Sequence, residues 1–153
     1  MLASATRPVS RARTSPAALG SELRVSLSRV TRRLRAQRGE ADLSVGQFGV
    51  LTALFRNGDM SPGALAAHEH IKPPSMTRTV NGLAELGLVV KAEHPTDRRQ
   101  VVVRLTDDGR REVVETRRRR DAWLAQQLAA LTAEEREVLA RASDLLSQIA
   151  SSR

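Results

Sequence analysis

The chain has 153 residues, room for one small domain with a core and dimerisation arms, and its 41% hydrophobic and 27% charged content is that of a soluble globular protein. It has no cysteine, which excludes disulfides, thiolate metal sites and cysteine catalysis, and no apolar run approaches the ~20 residues of a membrane span. The net charge of +8 is carried almost wholly by Arg: residues 1–40 hold nine Arg against Glu22 and Glu40, and a second basic zone at 71–105 lies beyond an acidic stretch at 41–70. A polyanionic partner follows, with nucleic acid ahead of an anionic membrane surface.

Residues 1–17 are rich in Arg, Ser, Ala and Pro and contain no acid. They read as a flexible basic tail; a secretory signal would need a continuous apolar stretch, while an organellar transit peptide shares this composition. From 18 the pattern is helical, with Leu19, Leu23, Leu27, Val30 and Leu34 on one face until a stop near Gly39. Leu43-Ser44-Val45-Gly46-Gln47-Phe48 starts the next helix: Ser44 caps, Gln47 closes a capping box, and Leu43 can staple onto Phe48. Phe48, Leu51, Leu54 and Phe55 make its buried stripe, and Asn57-Gly58 ends it. Ser61-Pro62 opens a short third helix. Pro73-Pro74 opens a fourth, whose inner face is Met76, Val80 and Leu83 and whose terminator is Gly87.

The period then falls to two. Leu88–Lys91 and Val101–Leu105 are β-branched runs around a charged tip, a hairpin in outline. Thr106 caps a long helix carrying Val113, Trp123, Leu124 and Leu128. Thr132-Ala133-Glu134-Glu135 is a capping box for a last helix with Leu139, Ala142, Leu145, Leu146 and Ile149 at helical spacing. The fold class expected is mainly α with a small β-hairpin wing: a winged helix-turn-helix at 43–106, flanked by dimerisation helices at 18–42 and 107–153.

Within that frame the motifs become specific. Leu65-Ala66-Ala67, Ile71-Lys72-Pro73-Pro74-Ser75-Met76-Thr77-Arg78 and Leu83-Ala84-Glu85-Leu86-Gly87-Leu88-Val89 resemble the recognition segment of the MarR family. Asp97-Arg98-Arg99 is similar to that family's wing tip, and Leu105-Thr106-Asp107-Asp108-Gly109-Arg110 to its exit from the wing. The resemblance covers residues 18–152 and implies a homodimeric bacterial transcription regulator, usually a repressor released by a small ligand. Two positions depart from the pattern. Lys72 stands where a Ser or Thr cap is usual, and Lys91 where Arg is common in the first wing strand.

On the fourth helix Pro74, Ser75, Thr77, Arg78 and Asn81 lie off the apolar stripe, and no acid occurs between Glu69 and Glu85. Arg can read guanine edges bidentately, Asn can read adenine, and Ser or Thr can meet a base or a phosphate. An ordinary solvated face would mix acids with bases. Arg98 and Arg99 at a hairpin tip suit a narrow minor groove; Asp97, by the resemblance, orients a neighbouring Arg. The Arg117–Arg120 run fans round its helix and is expected to be solvated or paired with Glu112, Glu115 and Asp121. His68 and His70 are two apart, on different faces of a helix, so no metal site is expected. With no P-loop, nucleophile elbow or paired-carboxylate motif, an enzyme is not expected and no cofactor is implied.

Leu19, Leu23, Leu27, Leu139, Leu145 and Ile149 are the expected dimer interface, since a small winged domain cannot cover these stripes alone. The partners expected are double-stranded DNA, a second copy and a small-molecule effector, in the cytoplasm and without a membrane role. Arg-rich helices suggest an anionic, partly aromatic effector such as a benzoate. The competing functions are a non-specific architectural nucleic-acid binder, and a membrane-surface or protein-interaction module driven by the first helix.

Overall fold

The computed structural model describes residues 14–93 and 100–151. In order, the elements are α1 (Pro16–Ala36), α2 (Val45–Asn57), α3 (Pro62–His68), α4 (Pro73–Glu85), β1 (Val89–Glu93), β2 (Val101–Leu105), α5 (Asp107–Ala129) and α6 (Ala133–Ser151). Two units divide the chain, one ending at Ala36 and holding α1, the other running from Gln37. Helix α1 takes in Pro16 and Ala17, which composition had assigned to the tail, and buries none of its residues.

The second unit is built on local signals that the backbone obeys. At the start of α2 the Ser44 hydroxyl accepts from the Gln47 amide (3.2 Å), and the Gln47 side chain accepts from the Ser44 amide (3.0 Å). Ser61 caps α3 by accepting from the Ala64 amide at 3.1 Å. Helix α4 starts without a side-chain cap, because Lys72 cannot accept a hydrogen bond. Pro73 and Pro74 remove two of the amide donors that a cap would serve, and the Ser75 and Met76 amides donate to the Lys72 carbonyl at 3.0 and 3.1 Å. The departure at Lys72 is thereby accommodated.

Helices α3 and α4 end in the same motif with different residues. Gly87 takes φ 71° after α4, with Leu88 N–H donating to Leu83 and Gly87 N–H to Ala84. His70 takes φ 52° after α3, with Ile71 N–H donating to Ala66 and His70 N–H to Ala67. This second turn swings the chain from α3 into α4.

Strands β1 and β2 pair antiparallel, Val89 opposite Leu105 and Lys91 opposite Val103. The first strand runs from Val89 to Glu93, starting one residue later and ending two residues later than its β-branched run suggests. Met60 adds a bridge on the other edge of β2, exchanging both backbone bonds with Val103 at 3.2 and 2.8 Å. Thr106 then closes the wing onto α5: its hydroxyl accepts from the Gly109 amide (3.0 Å) and donates to the Gly87 carbonyl (2.8 Å).

The core gathers Val50, Leu51, Leu54, Leu65, Met76, Val80, Leu83, Val89, Val103 and Val113, drawn from α2 to α5 and the hairpin. Phe48 and Phe55, expected within the buried stripe of α2, are only half-buried and border the core, while Val50 and Ala53 lie inside it. Both rings are roofed by arginines of α5 instead.

Candidate nucleic-acid interface

Helix α4 packs Met76, Val80 and Leu83 inward and leaves Pro74, Ser75, Thr77, Arg78 and Asn81 exposed. All five expected contact residues on this helix therefore share its solvent-facing side. The Thr77 hydroxyl donates to the Pro73 carbonyl at 3.1 Å, which commits its proton and leaves it an acceptor outward. Arg78 has no hydrogen-bond or ion-pair partner among the described residues. Asn81 is engaged: the Lys91 ammonium of β1 donates to its Oδ1. That link joins the recognition helix to the wing, across ten residues that no periodicity would relate.

Asp97, Arg98 and Arg99 lie outside the described residues. The base of the wing is tied down on its far side, where Arg104 donates to Asp59 at 2.9 Å within an ion pair of 2.7 Å. That hydrogen bond, with the attraction of the Asp59 carboxylate, raises the Arg104 pKa above its ordinary value.

The Arg117–Arg120 run divides by face. Arg118 and Arg119 both bind Glu115, at 2.9 Å each. Their hydrogen bonds, that of Arg118 foremost, pull the Glu115 carboxyl down from 4.5 to about 2. Arg117 stacks over Phe55 with its guanidinium carbon 4.8 Å from the ring centroid, and Arg120 over Phe48 at 4.4 Å. Arg110 also lies over Phe55, at 5.6 Å. Expected pairing with Glu112 is not what the fold uses. Glu112 is buried and accepts from the Ala41 amide (3.4 Å) and the Thr116 hydroxyl (3.2 Å). With Arg119 and Arg120 bonding the Arg38 and Gln37 carbonyls, it ties the segment before α2 to α5. A charged residue in a helix pattern reads as exposed, so the sequence carried no signal for this role.

His68 and Glu69 pair at 3.0 Å. Beside the first turns of α5 lies a cleft of about 710 Å³, lined by Glu40, Asp108, Glu112 and Glu115 against Arg110 and Arg111. Of the expected interface residues, Leu19, Leu27, Leu139, Leu145 and Ile149 are exposed and Leu23 is half-buried. Among the described residues no helix is long and apolar enough to cross a membrane.

A short helix, a tight left-handed turn, a second helix with an acid-free outer face and a hairpin beside it define a winged helix-turn-helix, a DNA-binding fold. The MarR family profile matches residues 41–100. Over 132 residues the chain is 43% identical to an uncharacterized HTH-type transcriptional regulator of Mycobacterium bovis, spanning 86% of this chain and 92% of the relative. It is 26% identical over 136 residues to the HTH-type transcriptional repressor MdtR of Bacillus subtilis, across 86% of this chain and 88% of that one. The solved structure of a MarR family protein from Bacillus stearothermophilus is similar with a TM-score of 0.74 at 25% identity, over 94% of this chain and 100% of the other. The chain belongs to the MarR family of transcriptional regulators.

Proposed function

We propose that the protein is a sequence-specific repressor that binds an inverted-repeat operator as a homodimer and is released by a small ligand. The observation that carries this reading is the outer face of α4, where Ser75, Thr77, Arg78 and Asn81 stand exposed and acid-free over a rigid apolar base. A helix so presented can enter a major groove, with Arg78 as its base-reading side chain and Pro74 at its entry. The resemblance of Asp97-Arg98-Arg99 to the family's wing tip gives Arg98 and Arg99 the role of contacting the adjacent minor groove, with Asp97 orienting one of them. Repression is supported by the likeness to MdtR.

Homodimerisation rests on apolar residues that two helices leave unburied, Leu19, Leu27 and the half-buried Leu23 on α1 and Leu139, Leu145 and Ile149 on α6. Neither helix buries a residue. Two-fold pairing would set the half-sites about one helical turn, ~10 bp, apart. For the effector, Arg110 and Arg111 in the α5 cleft support an anionic aromatic acid, and the four carboxylates of the same lining weigh against it. A DNA-release titration with benzoate-type acids, neutral aromatics and aromatic amines decides between these ligand classes.

The net charge of +8 favours one rival, an architectural binder without sequence preference. Selection from a randomised duplex pool separates the two. A repressor of this kind enriches an inverted repeat; an architectural binder enriches none. Arg98→Ala should weaken binding with little change in major-groove preference.

A further inference from the structure

The pairing of Asn81 with Lys91 bears on what the recognition helix can read. Adenine presents an N7 acceptor and an N6 donor in the major groove, and an Asn satisfies both only by turning its amide oxygen toward the base. In this chain that oxygen accepts from the Lys91 ammonium. A second donor approaching it would meet an oxygen already engaged and a positive charge beside it. The oxygen keeps a second lone pair, but the ammonium charge beside it disfavours the further N–H donor that adenine N6 would bring. The strongest hydrogen-bonding groups the two side chains have left are donors, the Asn81 amide N–H pair and two further Lys91 protons.

The arrangement is held from behind. Lys91 stands opposite Val103 in the hairpin, and Val103 is bridged on its other edge by Met60, so the strand that carries Lys91 is fixed in register within the wing. Asn81 and Lys91 border a notch of about 480 Å³ that also includes Glu85, yet the ammonium is directed to the amide and not to that carboxylate.

The geometry points to Lys91 as a specificity-determining residue: by occupying the Asn81 carbonyl it turns Asn81 from a reader of adenine into a reader of guanine, whose N7 and O6 both accept. This rests on the reading that α4 faces the operator. Lys91 acts here as a positioning residue, and its effect should be seen in base preference and not merely in affinity.

The test is selection from a randomised duplex pool with wild-type protein, Asn81→Ala, Lys91→Met and Lys91→Arg, each first shown to melt as the wild type does. Wild type should favour guanine at the position whose preference Asn81→Ala abolishes. Lys91→Met should move that preference toward adenine by about tenfold, and Lys91→Arg, which still donates, should keep guanine. Placing 7-deazaguanine there should weaken wild type and leave Asn81→Ala unaffected. Equal loss of affinity across all sequences for Asn81→Ala and Lys91→Met, with no position altered, would make the pair a phosphate clamp and overturn the inference. So would a wild-type preference for adenine at the Asn81-dependent position. Failure of the wild type to enrich any sequence would instead overturn the operator-reading function, and this inference with it.

Discussion

Gly109 lies against the backbone of Leu88, so close that a β-carbon built on it would stand 3.0 Å from the Leu88 carbonyl carbon and 2.9 Å from Leu105 Cδ1. The first turn of α5 thus rests on the point where α4 gives way to the wing. Gly109→Ala forces that helix off the hairpin, and overpacking of this kind costs about 1–3 kcal/mol. Chemical denaturation should show that loss; an unchanged midpoint would mean that the contact relaxes freely.

His70 closes α3 at φ 52°, in a conformation that costs an L-residue about 1–2 kcal/mol relative to glycine. Glycine loses more chain entropy on folding, about 0.4–1 kcal/mol. His70→Gly should therefore stabilise the protein by about 0.5–1 kcal/mol. A lower melting temperature would show that the exposed imidazole contributes more than its backbone strain removes.

Acid should loosen the α5 surface. Hydrogen bonds from Arg118 and then Arg119 hold the Glu115 carboxyl at about 2, below its ordinary 4.5. A carboxyl so depressed contributes stability in full above its unfolded pKa and loses it as the pH falls from 4.5 toward 2. Glu115→Gln should flatten the fall of melting temperature in that window, and added salt should shrink the difference, because the ion pairs are solvent-exposed. Identical acid profiles for the two proteins would contradict this.

Helix α6 exposes Val138, Leu139, Leu145 and Ile149 and buries nothing. An amphipathic helix of 19 residues with no packed face is marginal in water. Sedimentation should give a dimer at micromolar concentration, and Leu145→Asp should shift it toward monomer with loss of helical signal. A helical wild-type monomer would reject the dimer.

The parts of this fold legible in the sequence are those governed by short-range chemistry. Ser44, Ser61 and Thr106 cap where their spacing to the following amides requires, Gly87 turns where glycine is favoured, and Met76, Val80 and Leu83 face inward by period alone. The features that the sequence does not signal join distant positions or break a composition rule. Met60 pairs with Val103 through backbone atoms, which carry no side-chain signature. His70 occupies a turn that glycine or asparagine would have announced. Phe48 and Phe55 read as core because aromatic rings usually are, but Arg110, Arg117 and Arg120 reach them from α5. On the candidate interface, the exposed face of α4 was legible from its lack of acids; the Asn81–Lys91 link was not.

The central claim is that α4 reads sequence, and Arg78 is its sharpest test. On the duplex selected by the wild-type protein, Arg78→Ala should lose roughly 1–3 kcal/mol of binding free energy, and on random DNA much less. The measurement is a titration of both proteins against both duplexes at fixed salt. A drop confined to the selected duplex is the result expected from base reading by Arg78. An equal drop on both would make Arg78 a phosphate contact and contradict the account.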